Sequence, residues 1–259
     1  MTAQDRLLTL LTDRPTDTSG PWLDLVGDRP ATRGRLQGLW ESAVGALGYS
    51  TQLAVGDVVE PRLPDVLGTA TLHTFYRVDR RLALHGGETV LDLACGPGTL
   101  THRLSRAVGA AGLVVGADLS EPMLSRAART VTEPNVALLR ADASDLPLAD
   151  DTVDAVCCSL CLHLVPDLST AIAEIARVLR PGGRLAVAVP AHLDGARRRL
   201  SEGLARFAQA RVFERGELAA ALVAAGFSVI ADRTAVLSLV DAVAPGRFPG
   251  LDRWGTAGV

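Results

Sequence analysis

The chain has 259 residues, 48% of them hydrophobic, a formal net charge of -3 and a pI near 6.0. That is ample apolar material for one α/β domain with a terminal appendage, and it offers no basic field for nucleic-acid phosphates. All 26 basic residues are Arg, which excludes a lysine Schiff base and a Walker-type phosphate loop.

Residues 2–12 read as a short helix, and 13–34, rich in Pro, Asp, Thr and Gly, as loop. Leu36, Leu39, Trp40, Ala43, Val44 and Leu47 recur at helical spacing, so 35–49 is predicted as an amphipathic helix. A second helix over about 64–84 is expected to feed directly into the first strand. No apolar run reaches the ~18–20 residues that span a bilayer. The residues after Met1 lack a basic stretch followed by an apolar one, so a cytoplasmic protein is expected.

Residues 90–98, Val-Leu-Asp-Leu-Ala-Cys-Gly-Pro-Gly, are the most informative stretch: a buried strand holding one carboxylate, Asp92, opens into a glycine turn. Gly96 and Gly98 let backbone approach a ligand closely, and Thr99, Leu100 and Leu104 begin a helix. Strand-to-helix turns also use glycine for purely steric reasons, so the turn alone does not decide. Three further apolar strands follow, within 112–118, 136–142 and 152–159. They deliver Asp118, Asp142 and Ser159 to one sheet edge, where open α/β sheets bind ligands. Any single Asp could instead cap a helix or form a turn. Position 101 is Thr where a dinucleotide fingerprint would place its third Gly.

Beyond the fourth strand come the helix, turn and fifth strand within 177–190, an Arg-rich segment over 192–211 that suits a lid, a helix over 214–226 closed by Gly226, and strands over 227–233 and 234–243. The last residues, 244–259, read as a loose tail. Four cysteines, Cys95, Cys157, Cys158 and Cys161, gather at the ends of the first and fourth strands. Cys158 and Cys161 have half-site spacing, but no second pair completes a tetrahedral metal site, so no metal is expected. Small buried hydrophobes are the favoured reading and a redox-sensitive pocket the alternative.

Taken in order and spacing, these segments resemble the class I S-adenosylmethionine-dependent methyltransferases, in particular the small-molecule group with a methyltransferase type 11 domain, over about residues 77–240. The resemblance implies a Rossmann-like α/β fold, a seven-stranded sheet in the order 3-2-1-4-5-7-6 with the seventh strand antiparallel. It also implies a helical cap over 1–76, a catalytic domain over 77–243 and a tail over 244–259. S-adenosylmethionine is the implied cofactor. Asp92 would serve its ammonium, directly or through water. Ala94, Gly96, Gly98 and Ser159 would surround its methionyl part, Asp118 its ribose diol, Leu119 and Met123 its adenine faces, and Asp142 with the Ala143 amide the adenine edge. His163, just after the fourth strand, is the candidate general base, with His73 and Tyr76 behind it; a packing role for His163 is the competing reading. Trp22 and its neighbours also resemble a segment of methyltransferases with a cysteine-rich metal module, but no Cys precedes Cys95 to hold a metal. The implied activity is methyl transfer to a small lipid-like, quinone-like or secondary-metabolite acceptor. An RNA methyltransferase and a non-catalytic cofactor-binding protein are the alternatives.

Overall fold

The computed structural model describes residues 1–15, 17–27, 81–192, 202, 211–234 and 237–246. Its elements in chain order are α1 (Ala3–Leu8), β1 (Leu23–Asp24), β2 (Thr89–Leu93), α2 (Thr99–Val108), β3 (Leu113–Asp118), α3 (Glu121–Thr130), β4 (Val136–Arg140), β5 (Val153–Ser159), α4 (Leu168–Val178), β6 (Leu179–Pro190), α5 (Glu217–Ala224), β7 (Ser228–Thr234) and β8 (Leu237–Val243). The strands form one sheet in the order β1-β4-β3-β2-β5-β6-β8-β7. β1 to β6 pair in parallel, and β8 inserts antiparallel between β6 and β7.

Because parallel strands are joined by crossover helices, both faces of the sheet are covered and the strands are apolar on both sides. On one face Val90, Val114, Ala155 and Cys157 pack with Leu100, Leu104 and Val108, the i, i+4, i+8 stripe of α2. On the other, Leu91, Leu93, Val115, Leu139, Val156 and Cys158 meet Ile172 and Ile175 of α4 and Leu7 of α1. Asp167 starts α4 by accepting from the Thr170 amide at 3.1 Å, and the Ser169 and Thr170 hydroxyls, with that amide behind them, hold its carboxyl down at about 2.

The expected strand order is present with one addition. The sheet has eight strands, because Leu23 and Asp24, inside the stretch predicted as loop, pair with Leu139 and Arg140. Two residues flanked by Pro, Gly and Asp have no period to read. The helix expected to reach residue 84 ends earlier: Ala83 turns with φ of 44°, and a loop separates it from β2. The 177–190 turn is absorbed as a bulge within β6, with Gly182 at φ 78°. The expected loose tail is docked at its start, where Ala244 is buried and donates to the Gly183 carbonyl at 2.8 Å. The helix expected over 35–49, the candidates His73 and Tyr76, nearly all of the expected lid and residues 247–259 lie outside the described residues.

Candidate functional site

Four parallel strands, β4-β3-β2-β5, end side by side, and the loops leaving them enclose a cavity of about 190 Å³. Of the residues predicted for the site, Ala94, Gly96, Asp118, Leu119, Met123, Asp142, Ala143, Ser159 and His163 line it. Asp92 and Gly98 do not.

The glycine loop after β2 is held from below by backbone bonds, the Cys95 amide donating to the Ala117 carbonyl and the Gly98 amide to the Cys95 carbonyl, both at 3.0 Å. Ala94 and Gly96 take left-handed φ values of 59° and 54°, and no atom lies within 4 Å of where a Gly96 Cβ would stand. A non-glycine residue in that region carries strain, and such strain concentrates at functional sites. Gly96 thus leaves its face of the backbone open toward the cavity that it lines. Gly98 serves a different need. It has φ of 86° at the N-cap of α2, and a Cβ there would lie 2.5 Å from Val131 Cγ2 and 3.3 Å from Ala127 Cα. It makes room for α3 and its exit.

Asp118 bridges two walls. Its Oδ2 accepts from the Gly96 amide at 2.8 Å and its Oδ1 from the Ser120 amide at 2.9 Å. The Ser120 hydroxyl in turn caps α3 by accepting from Met123, which sets Leu119 and Met123 on the cavity wall. Asp142 lies two residues past the end of β4 and accepts from the Ser144 amide at 2.9 Å. Its loop is gripped from α4: Glu174 accepts from the Leu146 amide, and Arg177 donates to the Leu146 and Leu148 carbonyls.

Asp92 is buried behind the glycine loop, where the Thr101 hydroxyl donates to its Oδ2 at 2.6 Å. Burial pushes its carboxyl up to about 7, opposed by the Thr101 bond and helped by the charge of Asp118. Asp92 is thus set one layer back from the cavity lining, on which it does not stand. Strand alternation turns Asp92 toward α2, on the same side as Val90.

The fourth wall leaves β5 through Leu160, which takes φ of 51°. Ser159 Oγ and His163 Nδ1 are both buried without a hydrogen-bond partner, in residues that line the cavity. Burial lowers His163 to about 4, so it stands neutral at pH 7. Its carbonyl accepts from the Arg211 amide at 2.9 Å, which fixes the backbone beneath it. All four cysteines are free and buried, and Cys161 lies on the cavity wall with Leu164, Val165 and Pro166. Among the described residues no group of His, Cys, Asp or Glu could hold a metal ion, and no helix is long and apolar enough to cross a membrane.

This arrangement fits S-adenosylmethionine. That molecule carries a sulfonium and an ammonium but no phosphate, and the cavity offers Asp118 and Asp142 with no Arg on its wall among the described residues. Gly96 leaves an open backbone cradle, and two orphaned polar atoms belong to residues of the same lining. Sequence reasoning did not single out Ser120, Leu160 or Arg140. A lone Arg closing an otherwise apolar strand was the available signal for the last.

Residues 90–183 match the family model described as a methyltransferase domain. The chain is 38% identical over 138 residues to a demethylmenaquinone methyltransferase of Lactiplantibacillus plantarum, covering 50% of this chain and 58% of that protein. It is 42% identical over 105 residues to a 2-phytyl-1,4-naphtoquinone methyltransferase of Synechococcus elongatus, covering 39% and 45%. A solved structure, a SAM dependent methyltransferase from Aquifex aeolicus, superposes with a TM-score of 0.55 at 25% identity, over 65% of this chain and 88% of that one. The match spans about half the length of the curated relatives.

Proposed function

Because the chain belongs to the class I S-adenosylmethionine-dependent methyltransferase superfamily, we propose that it transfers a methyl group to a small, largely apolar, quinone-like acceptor. When bound, S-adenosylmethionine supplies an electrophilic methyl on its sulfonium. The observation that carries the reading is a cavity walled by two carboxylates and apolar side chains at the parallel strand ends. A cationic, phosphate-free cofactor and a neutral acceptor suit such walls.

In this reading Asp118 accepts from the ribose hydroxyls, which are strong partners for an ionised acceptor. Leu119 and Met123 hold the adenine faces, and Asp142 with the Ala143 amide meets its edge. Ala94, Gly96 and Ser159 border the methionyl part. Asp92 acts from behind the loop, its charge favouring the cofactor's cationic groups without touching them. Methyl transfer is an in-line displacement, so the chief contribution of the chain is to hold acceptor and methyl collinear and dry.

His163 is the acceptor-facing group. A neutral imidazole lowered to about 4 is in the right state to receive a hydrogen bond from an O–H, but is a weak base. Its role is to orient and polarise an acceptor hydroxyl such as that of a reduced quinone. Support for a quinone-like acceptor comes from the activities of the relatives. Acidic net charge speaks against a nucleic-acid partner. The composition likewise suits a cytoplasmic enzyme.

The test is incubation with methyl-tritiated S-adenosylmethionine and a panel of reduced naphthoquinones, simple phenols and transfer RNA. Label on the reduced naphthoquinones supports the reading. Label on transfer RNA alone would replace it with the RNA-modifying alternative.

A further inference from the structure

We infer that Arg140 is a positioning residue for the cofactor pocket, a buried clamp that ties the 17–27 segment to the loop presenting Asp118 and Leu119; its cofactor half rests on the methyltransferase reading above. Arg140 closes β4, whose other residues are Val136, Ala137, Leu138 and Leu139, and its side chain is only 7% exposed. In register it stands between Asp118 of β3 and Asp24 of β1.

The guanidinium reaches across both neighbours. Nε donates to the Leu119 carbonyl at 3.3 Å, while Nη1 lies 3.0 Å from Asp24 Oδ2, 2.9 Å from the Gly27 carbonyl and 2.9 Å from Glu121 Oε1. The main chain adds a parallel connection, with the Ala141 amide donating to the Asp118 carbonyl and the Leu25 amide to the Arg140 carbonyl, both at 3.2 Å. Asp24 is shaped to receive the cation. Burial pushes its carboxyl up, but the Gly27 and Val26 amides and Arg140 together hold it below the usual range.

Leu119 lies on the cavity wall, and its carbonyl belongs to the peptide between Leu119 and Ser120. Fixing that peptide fixes the Ser120 amide, which is one of the two donors that orient the Asp118 carboxylate. The chain of contact runs from the 17–27 segment through one side chain to the carboxylate assigned to the ribose. An exposed ion pair would contribute little, but a buried cation satisfied by oxygens from two separate segments is costly to remove. Lysine could keep the charge near Asp24 but has no planar fork to hold Leu119 at the same time.

The test combines Arg140→Met, Arg140→Lys and Asp24→Asn in the full chain. Amide hydrogen exchange of the ligand-free protein is read at 25–27 and 119–123, and binding of S-adenosylhomocysteine and of adenosine by calorimetry. Arg140→Met is expected to speed exchange in both segments and to weaken both ligands by the same factor, roughly tenfold or more. Equal loss for adenosine assigns the effect to the ribose and adenine side, which a general loosening of the pocket would not do. Arg140→Lys should restore the 25–27 protection better than the 119–123 protection. Asp24→Asn, milder, should show the same coupling if Arg140→Met does not fold.

Faster exchange confined to 25–27 with unchanged affinities would overturn the inference and leave Arg140 a staple of β1. A wild-type protein that binds neither ligand would fail the methyltransferase reading and the cofactor half with it. The exchange at 119–123 would still decide whether the clamp exists.

Discussion

Asp92→Asn should change how stability depends on pH, and the sign follows from two buried groups that pull in opposite directions. Asp92 ordinarily titrates at 3.8 and is raised to about 7 by burial, against the Thr101 hydrogen bond. Between those values the unfolded chain has lost a proton that the folded chain keeps, so stability falls as pH rises, by about 1.4 kcal/mol per unit and at most about 4 kcal/mol in all. His163 is lowered from 6.5 to about 4, also by burial. Its contribution is present above 6.5 and lost as pH falls toward 4, by about 3 kcal/mol at most. From about pH 4 to 6.5 the two slopes cancel in the wild type. The amide introduced by Asp92→Asn would copy the protonated acid and still accept from the Thr101 hydroxyl, which donates at 2.6 Å. The variant should therefore match the wild type near pH 4 and gain steadily up to pH 7. Urea unfolding at five pH values measures this directly, with His163→Gln as the mirror case, losing the slope that opposes Asp92. Parallel curves for wild type and Asp92→Asn would mean that burial does not hold the Asp92 proton in the folded chain.

Asp118→Asn can keep only one of the two amide partners at 2.8 and 2.9 Å and loses the charge facing the ribose, so S-adenosylhomocysteine should bind roughly ten- to a hundredfold more weakly. His163→Gln should cut turnover on an active acceptor by about a hundredfold while cofactor affinity stays within about threefold; equal losses in both would mark it as a packing residue. Gly98→Ala drives a Cβ into Val131 and the Ala127 backbone at a φ of 86°, and chemical denaturation should show a loss of about 2–4 kcal/mol. Cofactor binding near pH 6–7 should release a fraction of a proton from Asp92, seen as a binding enthalpy that changes with the ionisation heat of the buffer.

The strand ends were legible because they obey simple periods. Each parallel strand is a short apolar run, and Asp118 and Ser159 stand at the ends of their own, so the cavity walls could be named before their geometry was known. The same alternation, followed one step further, would have turned Asp92 away from Leu91 and Leu93 and onto the α2 face where Thr101 waits. Gly98 meets a steric need that the sequence does not display. A turn glycine shows that a Cβ is unwelcome but not which neighbour excludes it, and here the neighbour is Val131, thirty-three residues on. β1 was invisible because two residues carry no period; its pairing is made by long-range bonds to Leu139 and Arg140. The loop from Leu160 to Pro166 forms a cavity wall through left-handed backbone and buried side chains, neither of which leaves a spacing pattern.

Calorimetric titration of the purified chain with S-adenosylmethionine and S-adenosylhomocysteine asks whether the strand-end cavity holds the cofactor. One site per chain with micromolar affinity for both ligands is expected, abolished or much weakened by Asp118→Asn. A wild-type chain that gives no binding heat with either ligand, at two temperatures chosen to avoid an accidental zero in enthalpy, would contradict it.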